Sequence, residues 1–109
     1  MGMPLNRQVF DEEQIDAGDT ALSEVFDLRR VEHVEEAAVL YVEAEEDGTF
    51  SIEISLDEGT TWKVLEAGVA VTGGDLLVKG SIKMAPKYRL NYTQGATGGK
   101  VSAWFNGIQ

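Results

Sequence analysis

Ser55-Leu56-Asp57-Glu58-Gly59-Thr60-Thr61-Trp62 lies between two runs of alternating residues, and its reading as a turn decides the fold. Before it, Phe50, Ile52, Ile54 and Leu56 alternate with Ser51, Glu53 and Ser55, the period of a strand with one buried face. After it, Trp62 and Val64 alternate with Lys63 and Leu65. Asp57-Glu58-Gly59 suits a type I turn followed by a glycine at positive φ, a three-residue hairpin loop in which Asp57 accepts backbone N–H bonds. Trp62, in phase with Val64, is assigned to the core.

The same eight residues resemble the Asp-box, Ser-x-Asp-x-Gly-x-Thr-Trp, at Ser55, Asp57, Gly59, Thr61 and Trp62. In sialidase-like propellers and various extracellular or carbohydrate-handling β domains, that motif is a structural hairpin corner remote from catalysis. The resemblance therefore implies a β fold and no reaction. It occurs once, whereas a propeller repeats its blade motif.

Outward from the corner, Ala37 to Ala44 is apolar on both faces, which suits a strand that is central or covered at an interface. Glu45-Glu46-Asp47-Gly48 reads as a tight hairpin, so Ala37–Ala44, Thr49–Leu56 and Thr61–Leu65 are expected to form a three-strand meander. Val69, Val71 and Gly73-Gly74 predict a further strand and hairpin. Asp75 to Met84 follows with Leu76, Val78, Ile82 and Met84 on an apolar face, and Leu77, Lys79, Ser81 and Lys83 opposite. Gly80 on the apolar face marks a bulge, a bend or a close approach. Tyr88, Leu90 and Tyr92 share one side of a strand, with Arg89 and Asn91 on the other. Gln94 to Gly99 reads as a mobile glycine-rich loop without a phosphate-binding ending. Val101, Ala103 and Phe105 form the last apolar face, opposite Ser102, Trp104 and Asn106.

At the other end, residues 1–6 read as a flexible N-terminal arm and Arg7 to Phe10 as a first strand, with residues 7–109 one domain. Asp11 to Asp19 is acidic and turn-rich; its carboxylates lack the glycine-centred spacing of a calcium loop, so no metal is expected. A strand from about Ala21 to Arg29 precedes a turn or short helical piece before Glu35. His33, the sole histidine, is expected in an exposed loop. The sum is an all-β chain, a single antiparallel β-sandwich of about eight strands, jelly-roll-like.

The chain of 109 residues can bury a real core and has no cysteine for disulfides or thiolate metal sites. Nine basic against nineteen acidic side chains give a net charge of -10, which disfavours direct contact with nucleic-acid phosphates. Through Glu58, three arginines face seventeen carboxylates; from Gly59 onward, six cations outweigh two carboxylates. Such asymmetry can steer one copy toward another or toward a separate partner. No secretory leader and no run of eighteen apolar residues is present, so neither export nor a membrane span is expected.

Catalytic signals are poor. No nucleophile elbow surrounds a serine, and the arginines Arg7, Arg29, Arg30 and Arg89 do not form a recognisable cluster for a substrate carboxylate. The expectation is a non-enzyme without cofactor. Trp104, Tyr41 and Arg89 are the candidate contacts, for a protein interface or for a glycan that stacks on exposed rings.

Ser-Leu-Asp-Glu-Gly-Thr-Thr-Trp followed by Tyr88-Arg89-Leu90-Asn91-Tyr92-Thr93-Gln94-Gly95-Ala96-Thr97 and a short final strand resembles small β-sandwich proteins of tailed bacteriophage virions. The resemblance covers Ala37 to Gln109. It implies capsid decoration or cement, or a tail accessory, acting as a homo-oligomer (trimer or other) on phage capsid or tail proteins after assembly in the host cytoplasm. The alternative expectation is a carbohydrate-binding module for a cell-surface glycan.

Overall fold

The computed structural model describes residues 4–27, 39–80 and 86–108. Nine strands form among them: β1 (Pro4–Ile15), β2 (Thr20–Leu22), β3 (Phe26–Asp27), β4 (Val39–Ala44), β5 (Gly48–Ser55), β6 (Lys63–Val71), β7 (Leu76–Lys79), β8 (Lys87–Gln94) and β9 (Gly99–Ile108). One sheet has the order β1-β9-β4-β7 and the other β2-β8-β5-β6, with β3 continuing the β2 edge along β8. Every ladder is antiparallel. If β2 and β3 count as one interrupted strand, the pairs nest: first with last, second with second-last, and so inward to β5 with β6. That is the winding of a jelly roll.

The alternation read from sequence sets the interior. Phe50 and Ile52 of β5 lie opposite Tyr92 and Leu90 of β8, while Leu40 and Val42 of β4 lie opposite Phe105 and Ala103 of β9. All eight are buried, as are Phe26, Tyr88 and Val101. Phe105 stacks on Phe26 at 5.4 Å between ring centroids and 4° between planes, and lies 5.5 Å from Tyr88, so a ring from one sheet fills the space beneath the other.

Several expectations are corrected. The meander does not form, because β4 and β5 belong to different sheets. Asp47-Gly48 carries the chain across the sandwich, and Gly48 does not have the positive φ of a tight hairpin turn. Its missing side chain has another use: a Cβ there would lie 2.6 Å from Cζ of the buried Tyr92. Gly73-Gly74 is likewise a crossing, from β6 to β7. The two strands expected at Thr61–Leu65 and Val69–Val71 are one, β6, with register shifts opposite Phe50 to Glu53 and Gly68 at φ +66°.

The faces of β7 are inverted. Leu77 packs on the core, whereas Leu76 and Val78 are exposed. Lys79, on the inward phase, reaches Glu66 of β6 at 2.9 Å and closes the side between the two edge strands. Gly80 is exposed with open space around it.

Pro4 to Asn6, expected as an arm, pair with Ile108 to Asn106 in β1. The acidic run Asp11 to Gln14 also belongs to β1, which absorbs an extra residue between Gln8 and Phe10 and another between Phe10 and Glu13, with Glu12 at φ +45°. The first bulge explains why both Val9 and Phe10 are buried. The Ala21–Arg29 strand is broken after Leu22. There the Ser23 amide donates to the Leu90 carbonyl and the Ser23 hydroxyl receives the Leu90 amide, while the Glu24 amide turns away to the Val9 carbonyl. Arg7 completes this seam by donating to the Val25 carbonyl and to Glu24, both at 3.2 Å. Residues 1–3, His33 and the piece before Glu35 lie outside the described residues, as do Ile82, Lys83 and Met84.

The Gln94–Gly99 run is pinned rather than free. The Gly95 amide donates to the Asp47 carbonyl at 3.0 Å, the Gly95 carbonyl receives the Gly18 amide, and the Gln94 side chain donates to the Thr97 carbonyl at 2.7 Å. Glycines let these loops approach one another backbone to backbone, so the composition that reads as mobility here serves close packing.

Candidate functional site

Three places hold the residues singled out by sequence: the corner, a polar cluster beside it, and the far face of the other sheet. In the corner, the Ser55 hydroxyl, fully buried, receives the Gly59 amide at 2.8 Å and donates to Asp57 Oδ1 at 2.9 Å. Asp57 in turn receives the Thr61 amide at 2.9 Å and the Thr61 hydroxyl at 2.5 Å. Glu58 and Gly59 both take positive φ, +68° and +89°, so the turn differs from the expected type I form with one left-handed glycine. The Ser55 hydroxyl, the Asp57 carboxylate and the Thr61 hydroxyl are thus engaged within the turn itself.

The Thr61 hydroxyl above all, then the Thr61 amide, holds the Asp57 carboxyl below its ordinary value of 3.8. A lowered carboxylate value supports the fold above the ordinary pH and loses that support as pH falls through the folded value. The Thr61 amide resonance is therefore expected to titrate in acid with a midpoint below 3.8, and to lose that titration in Asp57→Asn. A midpoint at or above the ordinary value would mean that the carboxylate does not hold the turn.

Trp62 is not in the core. It precedes β6, is half-buried, and donates its indole N–H to the Gly59 carbonyl at 3.2 Å. Leu56 and Val64, placed in the same apolar phase by sequence, are exposed, because Val64 pairs with Glu53 on the outer side of the sheet. The indole covers Arg89 instead, whose guanidinium carbon lies 4.2 Å from the ring centroid. Arg89 Nε donates to Glu53 Oε1 at 2.6 Å and Asn91 donates to Glu53 Oε2 at 3.3 Å. Glu53 is nearly buried under them, at 8% exposure. Arg89, a candidate contact residue from sequence, braces the corner to the sheet. The signal was faint but present: Glu53 and Arg89 both fall on outward positions of their strands.

Trp104 and Tyr41 come together on the opposite side of the sandwich. They are paired across β9 and β4, with Gln8 of β1 beyond Trp104 and Val78 of β7 beyond Tyr41. One row thus crosses all four strands, and direct cross-strand neighbours have Cβ atoms about 5 Å apart. Glu43 and Leu76 form the next pair, and Tyr41, Glu43, Leu76, Trp104 and Asn106 line a shallow open concavity. Both rings are half-covered; Leu76 and Val78 are 54% and 56% exposed. Inverted β7 is what sequence reasoning missed, and it adds two aliphatic side chains to the aromatic pair.

Among the described residues no three His, Cys, Asp or Glu side chains come together to hold a metal ion. Comparison with known proteins finds no matching family model, no similar curated protein and no similar solved structure.

Proposed function

We propose that the protein is a non-enzymatic structural component that works by protein–protein assembly, as a decoration or cement protein of a phage capsid or an accessory of its tail. The observation that carries this reading is the outer face of the four-stranded sheet. Trp104, Tyr41, Leu76 and Val78 present half-covered aromatic and exposed aliphatic side chains on rigid strands, the make-up of an interface centre. The jelly-roll winding and the resemblance over Ala37 to Gln109 supply the virion context, with assembly in the host cytoplasm and homo-oligomers of the chain among its products.

The same fold also serves lectins, and the adjacent rings of Trp104 and Tyr41 favour a glycan as the second reading. Aliphatic Leu76 and Val78 beside them favour a protein surface. Co-expression with the products of neighbouring genes, followed by sedimentation, separates the two. The chain is expected to sediment with capsid or tail assemblies, and Trp104→Ala to weaken that association at least about tenfold while leaving the fold intact. A monomer that binds a glycan on an array and loses it on Trp104→Ala would overturn the assembly reading.

A further inference from the structure

We infer that the outer face of the four-stranded sheet is occupied by a protein surface with an apolar centre flanked by lysine or arginine, and not by a second copy of this chain. The inference rests on the reading of that face as a docking surface, and charge chooses the occupant. Glu43 stands exposed within the patch, paired on one side with Leu76 and on the other with Ser102. From Glu43 a shallow groove runs on past Ala44 and Ser102 to Glu12 and Glu45, contiguous with the aromatic concavity.

Among the described residues, Lys100 is the one cation lining that groove, against three carboxylates. Among the described cations on this sheet, Arg7 is engaged with Glu24 and Lys79 with Glu66, while Lys87 and Arg89 belong to β8 of the other sheet. Two copies pressed together by this face would bring like grooves into one contact, on chains that each carry a net charge of -10. Within the Debye length of about 8 Å at physiological salt, that repulsion is only partly screened. A partner with basic groups around an apolar centre meets the patch with Trp104 and Tyr41 and the groove with Glu43, Glu12 and Glu45. Homo-oligomers of the chain then form through other surfaces.

The test uses two cyclic β-hairpin peptides with the same leucine and tryptophan face, one flanked by lysines and the other by glutamates, titrated into the isotope-labelled full chain. The lysine-flanked hairpin is expected to shift the amides of Tyr41, Glu43, Leu76 and Trp104 saturably. Its affinity should fall about tenfold when salt is raised from roughly 50 to 300 mM, and Glu43→Lys should remove its advantage over the glutamate-flanked hairpin. Equal binding of both hairpins at these amides overturns the charge inference and leaves the docking face standing. Shifts confined to other amides, or none, overturn the docking face itself. Concentration-dependent broadening of the same amides in the free chain, abolished by Trp104→Ala, makes a second copy the occupant and also overturns the inference.

Discussion

Phe105→Ala is expected to destabilise the protein by about 4 kcal/mol, the range for removing a fully buried phenylalanine. Phe105 is the ring that β9 sends beneath the five-stranded sheet, stacked on Phe26 of β3 and packed on Tyr88 of β8. The truncation removes apolar burial and leaves a void between two layers that cannot both collapse into it. Two aromatic contacts worth roughly 0.5 to 1.5 kcal/mol each go with it. Against a total stability of about 5 to 15 kcal/mol for a domain of this kind, such a loss threatens the folded state. Urea unfolding of Phe105→Leu, which keeps most of the volume and should cost about 1 kcal/mol, supplies a variant that still folds for comparison. If Phe105→Ala lost no more than Phe105→Leu, the ring would not be bridging the sheets.

The second large effect is expected at Arg89. Replacing it with leucine strips Glu53 of the guanidinium that donates at 2.6 Å and leaves a nearly buried carboxylate with Asn91 as its remaining side-chain donor. Removing one member of a buried ion pair costs about 3 kcal/mol or more, chiefly through the charge left behind. Trp62 loses the cation beneath its ring at the same time. Glu53→Leu made together with Arg89→Leu removes the stranded charge, so the double variant should recover most of the loss in a double-mutant cycle. Additive losses, or a near-neutral Arg89→Leu, would show that the pair is an exposed contact of little weight.

Strands were legible in this chain because alternation is local: Phe50, Ile52, Tyr88, Leu90, Val101 and Phe105 all point inward as their phase predicts. Partners were not legible. Asp47-Gly48 has the composition of a tight turn, yet the close approach of Tyr92 requires its glycine, and nothing within a few residues distinguishes the two needs. Trp62 was misplaced for a related reason, since the alternation was extended through residues that belong to the turn and not to β6. In β7, Leu76-Leu77-Val78 is apolar on both faces, so its phase depends on the register with β4. For the candidate site, alternation alone puts Trp104 outward. Its adjacency to Tyr41, and the separation of both from Arg89, follow from the nesting of the strands.

That nesting also governs how the chain reaches its native state. Because Pro4 pairs with Ile108 and each later strand closes a loop inside the one before, the β1–β9 ladder bridges about a hundred residues and the short-range hairpin at Asp57 is the innermost rung. Long loops must close before their contacts repay the lost chain entropy, which places such topologies among folders on the order of milliseconds to seconds. During synthesis β1 leaves the ribosome before the other described strands and must wait for β9. From its synthesis until β9 arrives, the edge of β4 that β9 will cover is open to other chains, and the excess of carboxylates in the first half of the sequence repels other nascent copies from it.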